Sequence, residues 1–350
     1  MAVTTETKNL EMARAETPLP GWGEYLTRSP QATLYHDPAW AGLIGSCFGH
    51  RTFFLAAQDR GVLRGILSLV YLKSRIFGKA LVSMPYFNYG GLLADDDAAA
   101  TKLIASAVAL KRELGADYIE LRQSATLPGN LPVKSHKVIM LLPLPSDPEV
   151  LLRNFKSKLR NQIRTPEKAG ATFHWGGREL LDEFYGVFAE NMRDLGTPVY
   201  SKLFFKAIIE TFPAHCHIAV IRLNDQPVAA GFLLGFRGKL EIPWASSVRR
   251  YNRFSPNMLL YSGVLRQAIH EGFQIFDFGR STLDSGTYRF KQQWGAAPSP
   301  TYWYYPGQNQ DQLPEHNPES GRFYWATQVW KRLPLAFTNR LGPAIVKNIP

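Results

Sequence analysis

The sequence predicts an α/β protein built of two similar halves followed by a helical tail, and three observations carry that expectation. Its 350 residues exceed one average domain. FFLAAQDRGVLRGILSL at 53–69 aligns without a gap on AVIRLNDQPVAAGFLLG at 219–235, and both read as strand, polar turn, strand. Asp59 falls on Asp225, Val62 on Val228, Gly65 on Gly231 and Leu67 on Leu233. Further on, GADYIELRQS at 115–124 lies over GFQIFDFGRS at 272–281, setting Glu120 on Asp277 and Ser124 on Ser281. Two ungapped matches in the same order point to a duplication.

Taken along the chain, residues 1–20 are polar, lack an apolar run of signal-peptide length and read as a mobile N-terminus. The first half, 21–146, contains the hairpin and a helix over 97–114, where Leu103, Ala107, Leu110 and Leu114 recur at helical spacing. The second half, 147–306, opens on a basic connector, 150–169. As one helix it would present Arg153, Lys156, Lys158, Arg160, Arg164 and Lys168 against a single acid, Glu167. Phe155, Leu159 and Ile163 fall four residues apart on the other face.

After the second hairpin comes a helix over 256–271 with Leu259, Leu260, Val264 and Ile269 at helical spacing, then a short strand containing Ile275, Phe276 and Phe278. Gly279 releases the backbone into the polar cluster Arg280, Ser281, Thr282 and Asp284, the kind of strand end where α/β folds bind ligands. Asp284 or Ser285 caps a helix holding Tyr288, Arg289, Phe290, Lys291 and Trp294. Tyr302 to Tyr305 read as a final strand. Residues 307–350 are linker and tail, with a Pro-rich stretch to about 320. A tail helix over 320–333 places Phe323, Ala326, Trp330 and Leu333 on one side and Arg322, Lys331 and Arg332 elsewhere. Such a helix makes a peripheral membrane contact or covers an exposed sheet face of the first half, and the second reading is preferred.

Composition narrows the partners. A formal charge of +11 and a pI near 9.6 attract polyanions: RNA, a coenzyme phosphate, a lipid-linked sugar diphosphate or an anionic membrane face. Two cysteines, Cys47 and Cys216, make no disulfide framework and suggest a reducing compartment. No apolar run approaches a membrane span. A cytoplasmic protein is expected, at the inner face of the membrane if its tail binds lipid. His215, Cys216 and His217 alternate across a strand and have no second ligand pair, so no metal is expected. The triplet Asp277-Phe278-Gly279 is found in protein kinases, but no Gly-rich loop or His-Arg-Asp loop accompanies it.

A β-hairpin leading to a strand, helix and strand resembles the core of the GNAT fold (the acyl-CoA N-acyltransferase fold), here present twice. The segments NFKSKLRNQIRTPEKAG (154–170), YNRFSPNMLL (251–260), DFGRST (277–282) and GTYRFKQQWGA (286–296) make residues 30–305 resemble the FemAB family of aminoacyl and acyl transferases. The nearest likeness is to FemAB-like proteins associated with exosortase, PEP-CTERM and exopolysaccharide gene clusters. The resemblance implies transfer of an acyl group, commonly an amino acid from aminoacyl-tRNA, onto an amine of a peptidoglycan, exopolysaccharide or other cell-envelope precursor.

By that similarity Phe290-Lys291 matches a Phe-Lys pair near the reaction centre of Fem transferases, and Lys291 would stabilise the developing oxyanion. Asp277 would orient the amine or accept its proton, or instead tie Arg280 in place. Arg249, Arg250, Tyr251, Arg280, Ser281, Tyr288 and Phe290 are the expected substrate contacts, with Lys158, Arg160 and Arg164 on the connector for phosphate. No Ser-His-Asp arrangement is readable, which favours direct attack by the acceptor amine.

The sequence departs from ordinary acetyltransferases where a Gly-rich turn holds coenzyme A pyrophosphate. Here residues 249–257 read RRYNRFSPN, without glycine, so close backbone approach to pyrophosphate is harder. No bound cofactor is expected, and the donor co-substrate is aminoacyl-tRNA or acyl-CoA. Competing readings are a CoA-dependent N-acetyltransferase acting on an amino sugar and a non-catalytic polymer- or RNA-binding subunit. After Ser124 the first half runs into ATLPGNLP, with no counterpart of RFKQQWG, which places chemistry in the second half.

Overall fold

Near-continuous apolar runs along two hairpins dictate two sheets buried on both faces, and the computed structural model describes them over residues 10–74, 77–314 and 321–349, with the side chains of 321–323 outside that description. The chain forms two units. Unit 1 comprises 1–135, 300–315 and 348–350; unit 2 comprises 136–299 and 316–347.

Unit 1 contains β1 (Glu11–Ala15), α1 (Trp22–Arg28), α2 (Ala39–Phe48), β2 (Arg51–Asp59), β3 (Val62–Ser74), β4 (Gly78–Val82), β5 (Leu93–Ala94), α3 (Asp97–Leu114), β6 (Tyr118–Gln123) and β7 (Val133–Lys134). Unit 2 contains β8 (Lys137–Pro143), α4 (Pro148–Asn154), α5 (Ser157–Lys168), β9 (Thr172–Gly176), α6 (Leu181–Leu195), α7 (Lys202–Thr211), β10 (Cys216–Leu223), β11 (Gln226–Phe236), β12 (Lys239–Ser247), α8 (Pro256–His270), β13 (Ile275–Thr282), α9 (Gly286–Gln292) and β14 (Ala297–Pro300). Strand β15 (Tyr302–Tyr304) returns to unit 1, and helices α10 (Gly321–Trp330) and α11 (Leu335–Val346) belong to unit 2.

The first sheet runs β1-β2-β3-β4-β6-β15-β7, with β5 beside β3, and the second runs β14-β8-β13-β12-β11-β10-β9. Each contains a parallel pair: Ala80–Val82 with Tyr118–Glu120, and Lys239–Glu241 with Ile275–Asp277. A helix makes each crossover. Helix α3 starts where the Asp96 carboxylate accepts the Ala99 amide at 2.9 Å and stops at Gly115, whose φ of 59° is left-handed. Its Leu103, Ala107 and Leu110 are fully buried against the first sheet, where each leucine contributes about 1.5–3 kcal/mol by leaving water. Helix α8 buries Leu260, Val264, Leu265 and Ala268 in the same way on the second sheet.

The duplication is real, but its first block is displaced. Hairpin β2–β3 turns at Arg60-Gly61 and hairpin β10–β11 at Asn224-Asp225, all four with positive φ. The strand irregularities lie at Ala57/Gln58 and Ile221/Arg222. Both features set residue 60 on 224, two positions away from the best sequence match. A two-residue slip preserves the side-chain alternation of a strand, so inside and outside still agree. The matched glycines accordingly serve different neighbours. A Cβ on Gly65 would meet Leu103 at 2.9 Å, whereas one on Gly231 would meet Ile242 at 2.8 Å. The second block is in register: Glu120 and Asp277 each close their parallel pairing.

Other expectations change. Residues 11–15 lie within the expected mobile N-terminus but form an edge strand on β2; residues 1–9 lie outside the described residues. The expected boundary at 146/147 falls instead at 135/136, because β8 joins the second sheet through β13 while β15 joins the first through β6. Each sheet thus receives a strand from the far end of the other half's sequence. The connector is two helices, broken at Phe155, whose extended backbone turns its ring into the core against Trp294 at 5.4 Å. The tail helix, expected to cover the first sheet or touch a membrane, belongs to unit 2, where Thr327 and Lys331 lie beside Gly196 at the end of α6. No helix among the described residues is long and apolar enough to cross a membrane.

In unit 1 the end of the parallel pair is filled by a buried ion pair. The Arg122 guanidinium meets Glu120 at 2.7 Å and donates to the Met84 and Phe87 carbonyls, while the Tyr305 hydroxyl donates to Glu120 at 2.8 Å. Removing one partner strands a buried charge. Urea unfolding should show Arg122→Leu losing about 3–5 kcal/mol, and Glu120→Gln/Arg122→Leu regaining a large part of it.

Candidate active site

In unit 2 the parallel register of β12 and β13 ends at Glu241 and Asp277. Beyond it β12 continues along β11 as far as Ser247, and β13 continues along β8 as far as Thr282. The two strands therefore take different partners and open a wedge. A bulge in β13 drives the separation: Asp277 pairs with Leu141 and Arg280 with Ile139, leaving one extra residue on β13. Gly279 sits in that bulge with φ 74°, and its amide donates to the Asp277 carboxylate at 2.8 Å. On the other side Trp244 of β12 packs edge-on against Phe205 with ring centres 5.0 Å apart.

Lys291 reaches this place from α9. The Ser285 side chain caps that helix by accepting the Tyr288 amide at 3.2 Å, and Trp294, just beyond its end, is fully buried among Phe155, Tyr261 and Phe290. With both ends fixed, the Lys291 ammonium donates to the carbonyls of Gly279 and Arg280, each at 3.0 Å. Only 9% of Lys291 is exposed. Burial pushes its pKa down to about 8, Asp277 and Glu241 pull it back up, and Arg280 opposes them. Asp277 has no exposed surface and also holds Lys239 at 3.3 Å.

The expected site residues thus divide. Lys291, Asp277, Arg280 and Ser281 come together at the bulge. Ser281 is buried, with no hydrogen-bond partner for its hydroxyl. Phe290 and Tyr288 are half-buried against the core, and Phe290 packs on Tyr261 at 5.2 Å. Arg249, Arg250 and Tyr251 lie on a 3-10 turn between β12 and α8. Both arginines are exposed, and Arg250 pairs with Glu190 and lies over the Tyr251 ring. Ser255 ends the turn with φ 53°, in the left-handed position a glycine would favour. Lys158, Arg160 and Arg164 are exposed on α5, whose Leu159 and Ile163 are buried in the core shared with α8.

Sequence reading missed Glu241, Lys239 and Lys137. Lys239 and Glu241 stand two apart in KLEIPW, so they share a strand face, an unusual polar pair in an apolar run. Lys137 begins the strand contributed from the end of the first half; burial and the charge of Arg280 both hold its pKa below the usual lysine range. Among the described residues no cluster of three or more His, Cys, Asp or Glu could hold a metal.

Two sheets of this topology, each with a crossover helix joining a parallel pair and the second with that pair splayed, define a protein with two tandem GNAT-like units and C-terminal helices. Residues 153–292 match the acetyltransferase (GNAT) domain family. The fold is similar to the crystal structure of FemX, at 14% identity and TM-score 0.63 over 83% of this chain and 97% of that one. It is also similar to a tandem GNAT protein from the clavulanic acid biosynthesis pathway, at 10% identity and TM-score 0.55 over 86% and 99%. L-PGS from Bacillus licheniformis is similar at 13% and 0.53 over 91% and 99%. At these identities the likeness is one of fold. No curated protein matches the sequence.

The depressed pKa of Lys291 has a signature in stability. Between about 8 and the ordinary 10.5 the unfolded chain binds a proton that the folded chain does not, so this residue makes stability rise with pH across that window. Lys291→Met lacks the rise. Denaturation at pH 7 and at about pH 9.5 should show wild type gaining about 2 kcal/mol relative to the variant at the higher pH.

Proposed function

We propose that this protein is an N-acyltransferase that moves an aminoacyl or acyl group from a phosphorylated donor to an amine of a cell-envelope or exopolysaccharide precursor, and that the wedge between β12 and β13 is its reaction site. The observation that carries the reading is the Lys291 ammonium, fixed by two carbonyls where the parallel pair opens. The corresponding point of unit 1 is occupied by Arg122, Glu120 and Tyr305, which supports chemistry in unit 2 alone.

The reaction begins with the lone pair of the acceptor amine attacking the carbonyl carbon of the donor ester or thioester. A C–N bond forms and the carbonyl oxygen becomes an oxyanion. The two carbonyl hydrogen bonds fix the direction of the third N–H of Lys291, which lends positive charge to that oxygen. The oxyanion collapses, the C–O or C–S bond breaks, and the departing hydroxyl or thiol takes up the proton the amine releases. Asp277 keeps the bulge and Lys239 in place and holds Lys291 protonated. Ser281 offers a buried hydroxyl to the substrate.

The donor's phosphates would meet the exposed arginines of the turn after β12, with Lys158, Arg160 and Arg164 on α5 extending the cationic surface. A turn that lacks glycine favours side-chain over backbone contact with phosphate, which supports aminoacyl-tRNA ahead of acyl-CoA.

Thermal unfolding in the presence of bulk aminoacyl-tRNA and, separately, of acyl-CoA reads out the donor. A rise in Tm with aminoacyl-tRNA is expected; a rise with acyl-CoA alone would make the enzyme CoA-dependent, and a rise with neither would favour a binding subunit. With the donor known, kcat of Lys291→Met should fall about 10²–10³-fold with KM little changed. Wild-type kcat should decline above about pH 8 as the ammonium loses its proton. A rate that climbs through that range would make Lys291 a base instead.

A further inference from the structure

Helix α11 turns its small residues inward and its large ones outward. Thr338, Gly342 and Val346, four residues apart, are buried. A Cβ on Gly342 would stand 2.8 Å from the Val199 backbone, so the helix sits tight on unit 2 through that face. One position before each, Phe337, Leu341 and Ile345 are 49%, 39% and 37% exposed. Helix α10 does likewise with Tyr324, Trp325 and Val329, the tryptophan 73% exposed. Two consecutive helices thus each leave rings and branched side chains in water, the mark of faces that are covered in use.

Charge identifies the cover. Residues 321–350 contain Arg322, Lys331, Arg332, Arg340 and Lys347 and neither Asp nor Glu. Cations without acids, beside tryptophan, tyrosine and a stripe of apolar side chains, are the composition of helices that lie in the headgroup region of an anionic bilayer. A second copy of the chain would set the same cations against themselves.

We propose that α11, together with the exposed side chains of α10, seats the protein on an anionic lipid surface. Phe337, Leu341 and Ile345 enter the boundary between headgroups and acyl chains, and the cations face lipid phosphates. This seat extends past residues 320–333, where sequence reading placed a membrane contact, to α11, and it does not depend on the transfer reaction.

Flotation of the full chain with vesicles tests it. The protein should float with phosphatidylcholine vesicles containing roughly a third phosphatidylglycerol and stay in solution with phosphatidylcholine alone. Phe337→Ser/Leu341→Ser/Ile345→Ser should weaken partitioning more than about tenfold. Arg332→Gln/Arg340→Gln, which leaves the apolar stripe intact, should weaken it about fivefold per cation. Failure of the intact protein to float with anionic vesicles would overturn the proposal, as would undiminished binding by both variants. Light scattering that shows a dimer lost in the apolar variant would assign the face to a second copy instead.

Discussion

A carboxylate stays ionised inside a sheet only if a cation meets it there, and this chain places such a carboxylate at the same point of both halves. Glu120 and Asp277 each end a parallel pairing, each almost without exposed surface. In unit 1 the cation comes from the same strand two residues on, as Arg122, and its guanidinium fills the space with bonds to Glu120 and two carbonyls. In unit 2 the position equivalent to Arg122 is Gly279, and the cations arrive from elsewhere, Lys239 along β12 and Lys291 from α9. One arrangement closes the strand ends and the other leaves them parted around an ammonium.

Much of unit 2 follows from holding that ammonium. Gly279 must adopt positive φ so that β13 can bulge away from β12. Helix α9 is only seven residues long and is too short to hold itself, so Ser285 at one end and Trp294 at the other fix it. Trp294 in turn needs Phe155, which is why the basic connector breaks where it does. The apolar face of α5 lies on the α8 core and leaves Lys158, Arg160 and Arg164 in solvent.

The two halves show why some of this was legible in advance. Helices 97–114 and 256–271 follow from periodicity with caps or glycines at their ends, signals that are local. The match of Glu120 with Asp277 held because it marks a constraint of charge inside a sheet. The glycine match of Gly65 with Gly231 failed because a two-residue slip leaves a strand's alternation unchanged, and residue identity alone cannot detect it. The exchange of β8 and β15 between sheets was invisible, since strand partners many residues apart leave no local trace. Glu241 and Lys239 leave a local trace, a polar pair in an apolar strand, but their meaning comes from Asp277 across a ladder. Phe290, expected at the substrate, is half-buried and packs on Tyr261, because residues adjacent in sequence point in different directions on a helix.

By itself, then, the sequence determined the duplicated α/β plan, the main helices and the basic surface of the connector, because propensity, periodicity and charge act over a few residues; Lys291 stood out only through the resemblance of its motif to the Fem transferases. Tertiary structure decided which sheet each terminal strand joins, where the parallel pairs part, which buried charges face one another and which side of the tail meets solvent. Those outcomes depend on contacts between segments far apart in the chain. Burial in such contacts separates Lys291, brought to the parted strand ends with its pKa lowered, from the exposed lysines and arginines of the same basic chain.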